Sequence, residues 1–213
     1  MTDTTLAAGF TDKLVITGLA QTERRARDDK EWQVLLDSYH EDARIFLSWF
    51  DGSPSEFVTS SQRMADRPGG HALHELGPTL VRVDGDRALA DTSCAILMRR
   101  VFEGVECDLT AYCRHRSRVE RRAGRWRLCS FVGIYAKNTL VPVVPGTAPK
   151  LDEARLGTYR SSYDFQCYHR EQEGNTPFSN RPGLDRPDLV AALEEADRAW
   201  LAGADLPLGV GGE

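Results

Sequence analysis

Four runs of alternating apolar and polar residues, at about 73–83, 87–101, 106–120 and 125–135, are separated by Asp84-Gly85, Glu103-Gly104 and Ala123-Gly124. A strand turns successive side chains to opposite faces, so each run can bury one face only, and two-residue connections force each strand antiparallel to the one before. The pattern predicts a four-stranded antiparallel meander, and few topologies accommodate one that long without a helical layer against its apolar face.

The sequence upstream supplies that layer. Val15, Leu19, Thr22 and Ala26 fall at helical spacing, with Thr11 or Asp12 as N-cap, which predicts a first helix ending near Asp28. Residues 31–39 (EWQVLLDSY) read as a short second helix with Val34 and Leu35 inward, ARIFLSWF (43–50) as a strand stopped by DGSPS, and residues 55–65 as a third helix. Helices followed by a meander predict an α+β fold in which a curved antiparallel sheet wraps around N-terminal helices. VPVVPGTAP (141–149) reads as an extended connector that closes a body of residues 1–140. The remaining extension, 141–213, carries one helical pattern, with Leu189, Leu193, Ala196 and Trp200 on one stripe. A segment with one helix buries little on its own, so it is expected to dock on its own body or on a neighbouring subunit.

Charge and cysteines narrow the function. A net charge of −5 with broken basic runs argues against nucleic-acid binding. Five cysteines without a C-x-x-C pair suit a reducing cytoplasm, and the acidic N-terminus offers neither a signal peptide nor a membrane span. A small-molecule partner is the expectation.

Two stretches carry the chemistry-bearing residues: RARDDKEW (25–32), and HALHELG (71–77) at the opening of the meander. His71, His74 and Glu75 superficially offer metal ligands. On a strand, however, residues three apart face opposite sides, so the two imidazoles do not converge. With no phosphate-cradling glycine loop either, no metal or organic cofactor is expected. A neutral imidazole in an apolar pocket can take a proton near pH 7, and a carboxylate on its other nitrogen fixes the tautomer. His74 and Asp28 are candidates for such a pair. The alternatives are a hydrogen-bonded core histidine and a solvated helix-end aspartate paired with Arg24 one turn earlier.

The motifs ARDDKEW, HELGPTLVRVDGDRA and VERRAGRWRL, in this order, resemble the SnoaL-like branch of the nuclear transport factor 2-like superfamily over about residues 10–140. That branch includes scytalone dehydratase, hexachlorocyclohexane dehydrochlorinase and polyketide cyclases. The resemblance implies a cone-shaped barrel with an apolar pocket and association through the sheet. It also implies a catalytic Asp-His pair, which falls on Asp28 and His74, with Glu31 in place of a second acid and Trp32 keeping the aromatic. The helix before Asp28 departs from that pattern in its charge. Arg24 can either weaken the hold of Asp28 on His74 or bind an anionic substrate group.

Strand parity suggests Leu47, Trp49, Leu76, Met98, His115, Phe131 and Tyr135 as pocket walls around a hydrophobic, cyclic substrate. The function expected is a cofactor-independent lyase or isomerase, working by elimination or double-bond migration. The competing readings are a non-catalytic assembly subunit, like the β-subunits of ring-hydroxylating dioxygenases, and an epoxide hydrolase. The apolar stripe of the last helix predicts a homo-oligomer, trimer or dimer.

Overall fold

The structure is a computed structural model that describes residues 3–67 and 69–209, with side chains from residue 9 onward. Three helices alternate with the first strands: α1 (Asp3–Asp28), α2 (Trp32–Asp37), β1 (Tyr39–Phe46), β2 (Asp51–Gly52) and α3 (Pro54–Ala65). The meander follows as β3 (Ala72–Asp84), β4 (Arg87–Phe102), β5 (Val105–Arg122) and β6 (Arg125–Pro142), and the chain ends with α4 (Glu153–Leu156), α5 (Asp164–Gln172) and α6 (Pro187–Leu201).

All six strands form one sheet in the order β2-β1-β6-β5-β4-β3. The meander stands as expected. At both Glu103-Gly104 (φ 46° and 79°) and Ala123-Gly124 (φ 50° and 75°) the two turn residues have positive φ, the conformation whose twist matches antiparallel strands. The curved sheet is open, with β2 and β3 as its edges. One pairing departs from the expected antiparallel sheet: β1 pairs with β6 in parallel, Ile45 opposite Phe131. The parallel pair arises because β1 reaches β6 from the helical layer rather than through a hairpin.

Four register shifts curve the sheet: Leu76/Thr79 between β3 and β4, Tyr39/Arg44 between β1 and β6, and Tyr112/Cys113 and Arg116/Val119 between β5 and β6. At the first of these, a Cβ on Gly77 would come within 3.1 Å of the Ser93 side chain, so the close approach of β4 there favours glycine. Ile45, Ala88, Ala90, Val119, Leu128 and Phe131 of the inner face close on Ile16, Leu35 and Phe57 of the helices. Helix α3 begins with a reciprocal cap in which Ser53 and Glu56 satisfy each other's backbone.

Helix α1 begins earlier than expected; Leu19 and Ala26 pack inward as read, but Val15 and Thr22 face out. Val15 is 48% exposed, and Ile16 and Glu23 take the inward positions. Asp12 caps nothing there; it accepts from Trp126 Nε1 (2.9 Å) and from Arg121. In α2, Leu35 is buried while Val34 faces out. The ARIFLSWF strand shifts upstream to begin at Tyr39, and residues 47–50 form a turn closed by Leu47 N–H donating to Phe50 O (2.7 Å).

The extension holds three helices rather than one, and it docks on its own body. Leu193 of α6 packs on Phe46, Val132 and Ile134 of the sheet's outer face. Asp197 forms a buried pair with Arg118 (2.8 Å), and Trp200 lies against the Arg87 and Arg118 guanidiniums. Arg181 is fully buried between the Phe46 and Phe178 rings and donates to Leu47 O (2.6 Å).

Such docking makes the extension part of the folding unit. Leu193→Ala, which empties a filled site, should lower stability by about 2–4 kcal/mol in urea denaturation. Truncation after Pro149 should lower the melting temperature further, because it uncovers the outer face of β1 and β6.

Candidate active site

Helix α1 runs to its last residue with Asp28 pointing at the first turn of β3. The Asp28 carboxylate takes both hydrogen bonds that His74 can offer it: the backbone N–H donates to Oδ2 (2.7 Å), and ring Nδ1 donates to Oδ1 (2.6 Å). Both side chains are nearly buried, 6% exposed for His74 and 4% for Asp28. With Nδ1 committed, Nε2 is the nitrogen left for the cavity that His74 lines. The exchange fixes the tautomer as well as the ring plane.

Burial, together with the nearby Arg24 and Arg27, pulls the His74 pKa below that of an ordinary imidazole against the opposing pull of Asp28. Burial pushes the Asp28 carboxyl up, but the bonds from His74 outweigh it and hold the group below the usual carboxylate range. Near neutral pH the pair is therefore a neutral imidazole beside an ionised carboxylate.

The cavity over this pair measures about 900 Å³. Leu47, Trp49, Met98, His115 and Tyr135 line it, as parity suggested, and so does Arg24 of α1. Leu76 and Phe131 lie behind the wall. Leu76 packs on Cys94, Cys113 and Tyr163, and Phe131 sits in the main core with the Arg24 guanidinium 4.3 Å from its ring. Parity picks the inner face of a strand but not the depth at which a neighbouring side chain covers it.

Arg24 does not pair with Asp28. It is locked on the fully buried Glu23, which also accepts from Tyr39 OH (2.6 Å). Burial works against its charge, but Glu23 overcomes it and raises the Arg24 pKa. The i,i+4 pair on this helix is instead the exposed Arg25–Asp29.

His115 lies with its ring 6.0 Å from that of His74 and 4.7 Å from Phe131, and its Nδ1 has no partner among the described residues. Its Nε2 stands 3.6 Å from Cys113 Sγ. Cys94, Cys113 and His115 bring their donor atoms within 4.8 Å of one another, the spacing of a thiolate–imidazole metal set. The bond from Cys113 draws the Cys94 thiol below its ordinary value against burial, with help from His115 and Arg24. The other candidate set does not converge: His71 and Glu75 are exposed and His74 Nδ1 is taken by Asp28.

The extension supplies a wall that the sequence did not reveal. Gln166, His169, Arg170 and Glu173, on α5 or just past it, line the cavity, and Tyr163 stacks on Tyr135 with ring centroids 5.0 Å apart. The run SYDFQCY (162–168) reads from the sequence as interface rather than active-site material; the structure corrects this, since Gln166 of that run lines the cavity of its own chain. Short-range periodicity carries no signal of that destination.

Residues 10–132 match a family model described as a SnoaL-like domain. The chain is similar to pea pathogenicity protein 2 of Fusarium vanettenii, 28% identical over 196 residues that cover 90% of this chain and 84% of that protein. It is also similar to a PEP2-like protein of the same fungus, 26% identical over 210 residues covering 92% of this chain and 88% of the relative. Alignments of that extent include residues of the extension. Among solved structures, a type 2 hexachlorocyclohexane dehydrochlorinase superposes with a TM-score of 0.57 at 14% identity, covering 67% of this chain and 97% of its own. A protein from Novosphingobium aromaticivorans with a provisional scytalone dehydratase assignment gives 0.55 at 12%, covering 67% and 99%. At these identities the likeness is one of fold. Because the family model spans more than half of its residues, the chain belongs to the SnoaL-like domain family of the nuclear transport factor 2-like superfamily.

Proposed function

We propose that this protein is a cofactor-independent lyase or isomerase acting on a hydrophobic, cyclic small molecule, with His74 as general base and acid and Asp28 as the group that orients it. The observation that carries the reading is the Asp28–His74 exchange at the wall of a cavity of about 900 Å³. A subunit with a purely structural role has no need of an open cavity over a neutral, pre-oriented imidazole.

In the reaction, His74 Nε2 removes a proton from a carbon acid held against Trp49, Ile96 and Met98. The imidazolium formed is stabilised by Asp28, which stays ionised. In an elimination the same Nε2–H then protonates the departing oxygen; in a double-bond migration it returns the proton to a different carbon. Proton removal and return by one nitrogen balance without a redox partner. The likeness to dehydrochlorinase and dehydratase folds supports this class of chemistry.

The setting of the reading is a cytoplasmic homo-oligomer. Five free cysteines fit a reducing compartment, and Leu80, Val101, Tyr112 and Val141 leave apolar surface on the sheet for a second copy. No helix among the described residues is long and apolar enough to cross a membrane.

The test is α-proton exchange in D2O across a panel of cyclic ketones and β-hydroxy ketones, followed by NMR. Exchange or elimination should appear with wild type and fall by about 10²–10⁴-fold in His74→Ala and Asp28→Asn. Unchanged rates in both variants would overturn the assignment.

The pH dependence has a definite sign. The base works only when neutral, and its folded pKa lies below that of an ordinary imidazole, so kcat/KM should be flat at neutral pH and fall on acidification through a pKa under the ordinary value. Stability moves the same way. Asp28 contributes above its unfolded pKa and that contribution is lost as pH falls, while the unfolded chain protonates His74 more readily than the fold does. ¹⁵N NMR of the imidazoles should show His74 neutral with the proton on Nδ1 at pH 7.

A further inference from the structure

The protein as a whole is acidic, with a net charge of −5, yet seven arginines and only two glutamates line the cavity. Two of the seven are accounted for by carboxylates: Arg24 by Glu23, and Arg99 by Asp108. Arg27 is different. It is 5% exposed, and its one side-chain hydrogen-bond contact among the described residues is a long one, Nη2 to the Met64 thioether at 3.5 Å. No carboxylate lies within ion-pair distance of it among the described residues, and Trp49 offers only a ring face 5.9 Å away. Burial and the nearby Arg24 pull its pKa down to about 10, against the attraction of Asp28 and Glu23, neither of which touches it. A buried guanidinium without a carboxylate in direct contact is costly to a fold, and it lines the same cavity as His74.

Around it the lining divides into two chemical zones. Leu47, Trp49, Ile96 and Met98 are apolar. Arg63 and Arg67 are exposed at the rim, and half-buried Arg100 is held by the carbonyls of Gly69, His71 and Arg99. Such a rim focuses a positive potential on the cavity of an acidic protein.

We infer that the substrate is an organic acid whose carboxylate seats on Arg27, with its cyclic apolar body against Leu47, Trp49 and Met98. The inference rests on reading this cavity as the active site and adds the class of molecule that enters it. A single buried guanidinium presents a planar fork that matches one planar monoanion, whereas a dianionic phosphate would need a second unpaired cation at the same depth. The missing counter-ion is then brought by the ligand.

The experiment is calorimetric titration of the full chain with 2-naphthoate and its neutral isostere 2-naphthamide. Wild type should bind the acid at least about tenfold more tightly, a preference that weakens with added NaCl. Arg27→Gln should abolish the preference, leave naphthamide binding within about twofold, and keep or raise the melting temperature, since no structural ion pair is lost. Inorganic phosphate should displace naphthoate no better than NaCl of equal ionic strength.

Equal binding of acid and amide, no naphthoate binding at millimolar concentration, a preference that survives Arg27→Gln, or specific displacement by phosphate would each overturn the inference. If Arg27→Gln does not fold, the acid-to-amide ratio of wild type and its salt dependence decide. His74→Ala separates this claim from the proposed reaction. It should stop proton exchange yet keep the preference for the acid, whereas equal binding with exchange intact would sink only the carboxylate site.

Discussion

The two hydrogen bonds from His74 to the Asp28 carboxylate join the end of α1 to the start of β3. They set the distance between the helical layer and the far edge of the sheet, and hence the width of the space between them. The same carboxylate that anchors the strand orients the ring carried by that strand. Neither bond can be lost without disturbing both the architecture and the chemistry, because the backbone N–H and the ring N–H belong to one residue and lean on one group.

Around that joint the helical layer contains an unusual amount of buried charge. Glu23, Arg24, Arg27 and Asp28 all lie on the inward side of α1 within two turns. Glu23 and Arg24 satisfy each other and Tyr39, and Asp28 is satisfied by His74. Arg27 is the one that no carboxylate touches among the described residues. Charges at this depth are tolerated when paired, and their pattern makes α1 a rigid rail of fixed polarity beside an otherwise apolar space.

The extension completes the site rather than decorating it. Arg181 clamps residues 178–186 onto β1 and the 47–50 turn, Gly183 bridges to Tyr135, and α5 is thereby held over the cavity. Helix α6 secures the other side of the sheet through Leu193, Asp197 and Trp200. The sheet therefore carries helices against part of both faces, and that is why an open sheet with two edges holds a cavity of this size.

What depends on near neighbours along the chain was legible before any fold was known. The period-two runs and turn pairs specified four strands and their antiparallel order, because strand pleat and turn geometry are local. The motif order around Asp28 and His74 marked the two residues that would meet. Other features were decided only by tertiary structure. The face that α1 buries was settled by Glu23 finding Arg24 and Tyr39, which overrode the simpler apolar stripe through Val15 and Thr22. The parallel β1–β6 pair, the retreat of Leu76 and Phe131 behind the wall, and α5 at the mouth of the cavity follow from contacts between residues far apart in sequence. No local pattern encodes them, because burial depth and pairing partners are properties of the assembled layers.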